Sequence, residues 1–379
     1  MKADTCIGRD GIEADVHRAA LAALPEISPA RLRRIDELAE PKQAWAGLAR
    51  GDIGATELSV KPALAALWQS FARTNDPQEM AARWSASGID VIDHGSSSWP
   101  DRLLHDPEPP TVLFTRGAAT FGGPCVGIVG TRRCTSYGRR VAARLGSDLA
   151  QRGVSVISGL ALGIDAVAQQ AALESGGDVF AVVGSGLDVV YPSRNRRLWE
   201  TICDRGRIWS EYAPGVRPDH WHFPARNRII AALADVVVVV ESAAKGGSLH
   251  TVDAALERDV PVLAVPGPVD GRASEGTNRL LVQGATPCID VDDVLVALGL
   301  STGATEGVLP RAPSAPGLDQ GCEPDELAVF DALGAEAASL TELVLRSAMP
   351  LSRVIEVVGR LELQGRVTNR GGWYEVARR

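Results

Sequence analysis

From Cys125 onward the chain alternates short apolar runs with longer amphipathic stretches. The runs are CVGIVG, VSVISG, VFAVVGSG, RIWSEY, VVVVVES and VPVLAVPG, with a weaker PCIDV at 287–291. Helical periodicity marks 137–152, 164–174, 198–204, 229–233 and 249–258. Unbroken Val/Ile runs separated by helices are how a parallel sheet covered on both faces reads, because neither face of such a strand meets water. The middle of the chain is therefore predicted to be α/β: Rossmann-like, doubly wound, on a mostly parallel sheet.

The flanks follow other patterns. Residues 1–75 are rich in Ala, Leu and Arg at helical spacing, and ALPEISPARLRRI at 23–35 predicts a hairpin between two helices. This is a small helical domain of the helix-hairpin-helix or SAM-like kind. Glu26 and Ser28 stand where glycines would let backbone N–H groups approach phosphate, so a structural cap is the better reading of the turn. Residues 76–300 hold the Rossmann-like domain with its approach segment. Residues 301–322, STGATEGVLPRAPSAPGLDQGC, have no apolar period and read as a linker. Residues 323–379 give three short helical patterns and then two strand-like pieces around Gly371-Gly372, the order of a winged helix. Residues 351–361 would be the second helix of its helix-turn-helix, and such a module either reads DNA or contacts protein.

Ligands of open α/β sheets bind beyond the carboxyl ends of the strands. At those ends stand Gly130-Thr131-Arg132-Arg133, then Gly163-Ile164-Asp165, then Tyr191-Pro192. Phe223 and Arg226-Asn227-Arg228 close the loop after RIWSEY, and Lys245-Gly246-Gly247-Ser248 opens a helix. Glycines at helix starts leave N–H groups free for an anion, and the guanidinium fork suits phosphate oxygens. Each piece alone has an ordinary account: a turn glycine, a core Phe223, or Arg228 paired with Glu211 or Glu241. Their convergence on one edge points to phosphate.

Which phosphate compound is narrowed by what is missing. There is no Gly-x-Gly-x-x-Gly, no Gly-x-x-x-x-Gly-Lys-Ser/Thr loop and no Gly-x-Ser-x-Gly elbow, which disfavours dinucleotide enzymes, P-loop ATPases and the corresponding hydrolases. A positive groove with an aromatic face suits single-stranded nucleic acid bound without sequence preference.

Charge and composition sharpen this only locally. The 379 residues carry a net charge of −8, but residues 126–300 hold 18 Lys and Arg against 19 Asp and Glu, leaving 21 against 28 elsewhere. No apolar run is long enough to span a bilayer, and residues 1–15 are charged and lack an apolar signal core, so a cytoplasmic protein without membrane contact is expected. Six cysteines lack a Cys-x-x-Cys pair and six histidines lack a His-Glu-x-x-His spacing, so reduced thiols, no metal and no cofactor are expected.

Taken together, VGIVGTRRCTSYG, SGLALGIDAVAQQAAL, AVVGSGLDVVYPSRNRRL, HFPARNRIIAALADVVVVVESAAKGGSLHT and VPGPVDGRASEGTNRLL resemble the DNA-processing protein A family (DprA, also called Smf), over about 99–294. That resemblance implies a non-enzymatic protein that binds single-stranded DNA cooperatively, shields it from nucleases and helps load the recombinase RecA, notably in natural transformation. It further implies a homodimer formed through the Rossmann-like domain. The family's Gly-Ser/Thr-Arg motif falls on Gly130-Thr131-Arg132, its basic-asparagine-basic motif on Arg226-Asn227-Arg228, and its cation before the glycine-rich helix start on Lys245. Three positions depart: Leu162 replaces an arginine, Gln169 a histidine and Gly246 a serine. A different class resembles the same scaffold, the lysine decarboxylase-like phosphoribohydrolases, which cleave nucleotide N-glycosidic bonds. Here their catalytic glutamate is missing, with Asp253 one residue late and no Gly-Thr pair.

Overall fold

The computed structural model describes residues 5–7, 13–300, 324–333, 338–347, 349–370 and 373–376. The chain divides into two compact units, Met1–Thr302 and Gly303–Arg379. The expected linker, 301–322, lies outside the described residues.

The larger unit is built on one sheet. Its strands in chain order are β1 Asp90–Asp93, β2 Val112–Gly117, β3 Cys125–Val129, β4 Ser155–Ser158, β5 Val179–Val183, β6 Arg207–Ser210, β7 Val236–Val239, β8 Val262–Ala264 and β9 Thr286–Pro287. They lie side by side as β9-β8-β7-β3-β4-β5-β6-β2-β1. Every neighbouring pair from β9 to β6 is parallel, and at the far edge β2 pairs antiparallel with both β6 and β1. The sheet is thus mostly parallel and doubly wound, with an antiparallel edge that the sequence pattern does not announce.

Strand burial explains why the apolar runs are unbroken. Val126, Ile128, Val236 and Val238 belong to one buried cluster, whereas Cys125, Val129, Val237 and Val239 belong to another on the opposite face. Strands β3 to β7 are each followed by a helix: α1 Ser136–Gln151, α2 Ile164–Glu174, α3 Arg196–Arg205, α4 His222–Leu233 and α5 Leu249–Leu256. Four of them match their periodic stretches to within two residues. The exception, α4, begins seven residues before the periodic stretch at 229–233. At 287–291 the strand stops at Pro287, because Asp290 turns to cap the next helix by accepting from Asp292 N at 2.9 Å.

Six short helices between Val16 and Ala86 precede the sheet, with Ser28 and Asp76 capping two of them through their side chains. The hairpin after Leu21 is present. Glu26 holds a φ of 56°, and Trp68 fixes the turn by donating its indole N–H to the Pro25 carbonyl at 2.7 Å. Leu21, Leu32, Leu48 and Trp68 share one buried cluster with Val91 and Phe114 of the sheet.

The smaller unit is a winged helix. Helices Pro324–Leu333, Leu340–Ser347 and Leu351–Leu363 pack around Val329, Leu343, Val354 and Leu361, and a three-stranded sheet adds Val367–Arg370 and Trp373–Val376. On the helix Leu351–Leu363, Arg353 is held by Asp325 at 2.6 Å and Glu356 at 2.8 Å, and Arg360 by Glu356 at 3.1 Å.

Among the described residues four cysteines are free thiols. Burial pushes Cys125 and Cys288 up to about 12, far from the thiolate form at neutral pH. Iodoacetamide is expected to leave both unmodified in the native protein and to label both in urea, as read by peptide mass.

Candidate functional site

The chain lays β3 to β6 outward on one side and then returns to place β7 on the other flank of β3. Strand order therefore reverses at the β3/β7 boundary, the place where open α/β sheets hold ligands. An open cleft of about 660 Å³ lies there.

The loop after β3 forms one wall. Thr131 N donates to the Glu241 carbonyl at 2.7 Å, and the Thr131 carbonyl accepts from Ile164 N at 3.3 Å, so the loop is tied to both β7 and α2. A Cβ on Gly130 would come within 2.9 Å of that same Glu241 carbonyl. Gly163 has a φ of 84°, and its absent Cβ would run into the Thr131 carbonyl. Both glycines are needed for the loop to lie flat.

The predicted cations divide into two groups with different work. Arg226 and Arg228 sit two positions apart on α4, about 200° around the helix, so they cannot face one groove together. Both are buried. Arg226 turns beneath the cleft, donating Nη1 to the Val182 carbonyl at the end of β5. Beside it is Asp165, whose carboxylate accepts from Gly159 N at 3.1 Å. Burial pushes the Asp165 carboxyl up against the pull of Arg226, and pushes Arg226 down to about 10, which leaves it protonated at neutral pH. Arg228 points away from the cleft and donates to Glu211 at 2.6 Å, their side chains 8% and 2% exposed. The expectation that Arg228 offers free charge to a ligand is therefore overturned: an internal carboxylate neutralises it.

Arg132, Arg133 and Lys245 are the opposite case. All three are exposed, and none forms an ion pair with a described residue. The Arg132 guanidinium lies 4.8 Å over the Phe223 ring, which in turn stacks on Tyr191 at 5.7 Å and 27°. Phe223 is accordingly part of a surface stack rather than the core. Arg133 and Lys245 do not line the cleft itself; Gly130, Thr131, Arg132, Phe223, Arg226 and Asn227 do, as do Gly246, Gly247 and Ser248. Asn227 donates to the Gly247 carbonyl at 3.4 Å, and Ser248 to the Ser242 hydroxyl at 3.0 Å, which holds the glycine-rich turn.

The three departures resolve individually. Leu162 adds no cation of its own to the hollow it borders with Tyr191, Pro192 and Phe223, which Arg132 and Arg226 also line. Gln169 is buried and donates to the Phe180 carbonyl at 2.9 Å, a core hydrogen bond. At Gly246 any Cβ would meet the Ser242 hydroxyl, so glycine is what this turn accepts. Asp253 does not line the cleft but a neighbouring hollow with Trp221 and Glu257, which shares Pro224 and His250 with it. The carboxylates that do line the cleft are Asp165, engaged as above, and Asp219, 2.5 Å from His220.

The lining residues that are not among the predicted site residues include Asp165, Tyr191, His220 and His250. The first two sit at strand ends in the sequence and are legible there; the histidines carry no signal. Among the described residues no group of three His, Cys, Asp or Glu could hold a metal, and no helix is long and apolar enough to cross a membrane.

Gly159 is closely packed beneath the cleft, because its Cβ would meet the Arg226 guanidinium. Gly159→Ala is expected to cost about 1–3 kcal/mol of stability, as overpacking does, in urea unfolding.

The family model described as DNA recombination-mediator protein A matches residues 90–299, and that described as DprA winged helix domain matches 310–372. A Mycobacterium tuberculosis protein named "Putative DNA processing protein DprA" is 38% identical over 273 residues, 71% of this chain and 69% of its own. The crystal structure of DNA processing protein A from Streptococcus pneumoniae superposes with a TM-score of 0.62 at 31% identity, covering 74% of this chain and 96% of that one. A structure of DNA processing protein A from Helicobacter pylori, described for its single-stranded DNA binding mode, gives 0.51 at 30% identity over 55% and 95%.

Proposed function

The chain belongs to the DNA-processing protein A (DprA/Smf) family and is a DNA-processing recombination mediator, and we propose that its switch-point cleft is where it grips single-stranded DNA. In this reading phosphates lie against Arg132, Arg133 and Lys245, and a base stacks at the Tyr191–Phe223 pair. The observation that carries it is the column Arg132, Phe223, Tyr191 at the cleft wall, which puts an unpaired cation beside aromatic surface. Neutralising phosphates releases counterions, and every base has a π-face, so such a site binds single strands with little regard for sequence. Gly130, Thr131, Asn227, Gly246, Gly247 and Ser248 shape the surface that the backbone follows. Arg226, Arg228 and Gly163 hold that surface in place.

Shielding of single strands and help in loading RecA, as in natural transformation, follow as the roles proposed for such a grip in the cytoplasm. Catalysis is not part of the proposal, since Asp165 is already engaged by Gly159 N and Arg226. Incubation with AMP is expected to release no adenine; release that depends on Asp253 would favour the phosphoribohydrolase reading instead.

Filter binding of labelled oligo-dT should give an affinity that falls linearly in log–log form with salt. A flat salt dependence would sink the reading.

A homodimer is proposed through the β9 edge. Val282, Ile289 and Val296, on the segments that flank that short strand in the chain, are exposed by 88%, 76% and 67%. Ile289→Asp is expected to shift the protein from dimer to monomer in light scattering, without loss of helicity.

A further inference from the structure

Outside the cleft, the sequence YPSRNRRLW places three arginines within four positions, with no acid from Val189 to Trp199. We infer that Tyr191–Arg197 is a second phosphate-binding subsite, over which a single strand continues as it leaves the cleft. The inference rests on the reading of the cleft as a single-strand site.

The segment is continuous with the cleft on the structure. Tyr191 lines the cleft and is still 42% exposed, so ring surface remains for a base outside the stack with Phe223. Asn195 donates to the Leu160 carbonyl at 2.8 Å and the Ala161 carbonyl at 3.3 Å, and Ala161 itself lines the cleft. The arginines are thus fixed relative to the cleft through main-chain contacts. Tyr191 and Pro192, at the start of the segment, also border the hollow at Leu162.

The charge has no internal use. Arg194, Arg196 and Arg197 are exposed, and no described residue forms an ion pair with any of them. Arg196 and Arg197 open α3, preceded by the short turn Ser193–Asn195, and the first turn of α3 carries no acid. The amino end of a helix is its positive pole, so cations there are disfavoured by the fold's own dipole. Arg196 and Arg197 at that pole and Arg194 just ahead of it, none of them ion-paired with a described carboxylate, call for an external anion. Guanidinium forks match phosphate oxygens, and spaced along a helix start they suit successive phosphates of one strand better than a single isolated ion.

The test compares wild type with a triple Arg194→Ala, Arg196→Ala, Arg197→Ala variant on oligo-dT of increasing length. Because all three side chains are exposed, the variant should fold, and binding of the shortest oligonucleotides, which fill only the cleft, serves as the control. Short-oligonucleotide affinity should be unchanged, whereas wild type should continue to gain affinity with length after the variant has stopped. On long oligo-dT the log–log salt slope should drop by about 2, three phosphates at about 0.7 each, and the triple Arg→Lys variant should keep it. Identical length dependence and slope in wild type and the alanine variant would overturn the inference while leaving the cleft reading intact. Absence of salt-dependent binding by wild type at every length would overturn both.

Discussion

Arg228→Ala is expected to lower the unfolding free energy by about 3–5 kcal/mol, the largest single effect on stability that the site offers. Its side chain is 8% exposed and that of Glu211 2%, at 2.6 Å. Removing the guanidinium leaves a carboxylate in a place where burial already pushes its pKa up, with only Arg33 to help hold its charge. The magnitude comes from stranding that charge rather than from the worth of the pair. Exposed pairs behave differently: Arg50 and Asp52 also sit at 2.6 Å, but with side chains 64% and 61% exposed, and breaking them should cost about 0–1 kcal/mol. The double variant Arg228→Met with Glu211→Leu is therefore expected to recover most of what the single loses. Urea unfolding at constant m-value distinguishes these outcomes; a double variant no more stable than Arg228→Ala would refute the stranded-charge account.

The second large effect concerns binding. Phe223→Ala should weaken oligo-dT binding by about 1–3 kcal/mol, the usual value of one base–aromatic stack, because the substitution also leaves Arg132 and Tyr191 without the ring between them. The salt slope should stay as in wild type, since no phosphate contact is lost. Arg132→Ala should do the reverse in part, lowering the slope by about 0.7. An equal change in slope for both variants would mean that the column does not separate base from phosphate in this way.

Much of the fold is legible in the chain because its local signals agree. Gly163 ahead of the periodic stretch at 164–174 gives both ends of α2, and Val236–Val239 could hardly be anything but a strand buried on both faces. The start of α4 is hidden by Pro224, which reads as a loop residue but is tolerated in the first turn of a helix, where its missing N–H has no partner to lose. That one difference carries through to the site. Taken as a loop, Arg226-Asn227-Arg228 offers two free cations; taken as a helix, it sends them to opposite sides, one under the cleft and one to Glu211. The edge strands β1 and β2 escape sequence reasoning because a Pro- and Asp-rich segment separates them and they stand outside the alternation of apolar runs with helices. Tyr191 joins Phe223 only through the tertiary fold, 32 positions apart in the chain, and no local pattern announces such a stack.

At the centre of the proposed function is a division of labour, in which exposed Arg132 would bind phosphate and buried Arg228 would only hold the scaffold. The most direct measurement is the salt dependence of oligo-dT affinity for wild type, Arg132→Ala and the folded Arg228→Met/Glu211→Leu double variant. The slope should fall for Arg132→Ala and stay at the wild-type value for the double variant. A wild-type slope in Arg132→Ala together with a reduced one in the double variant would contradict that division.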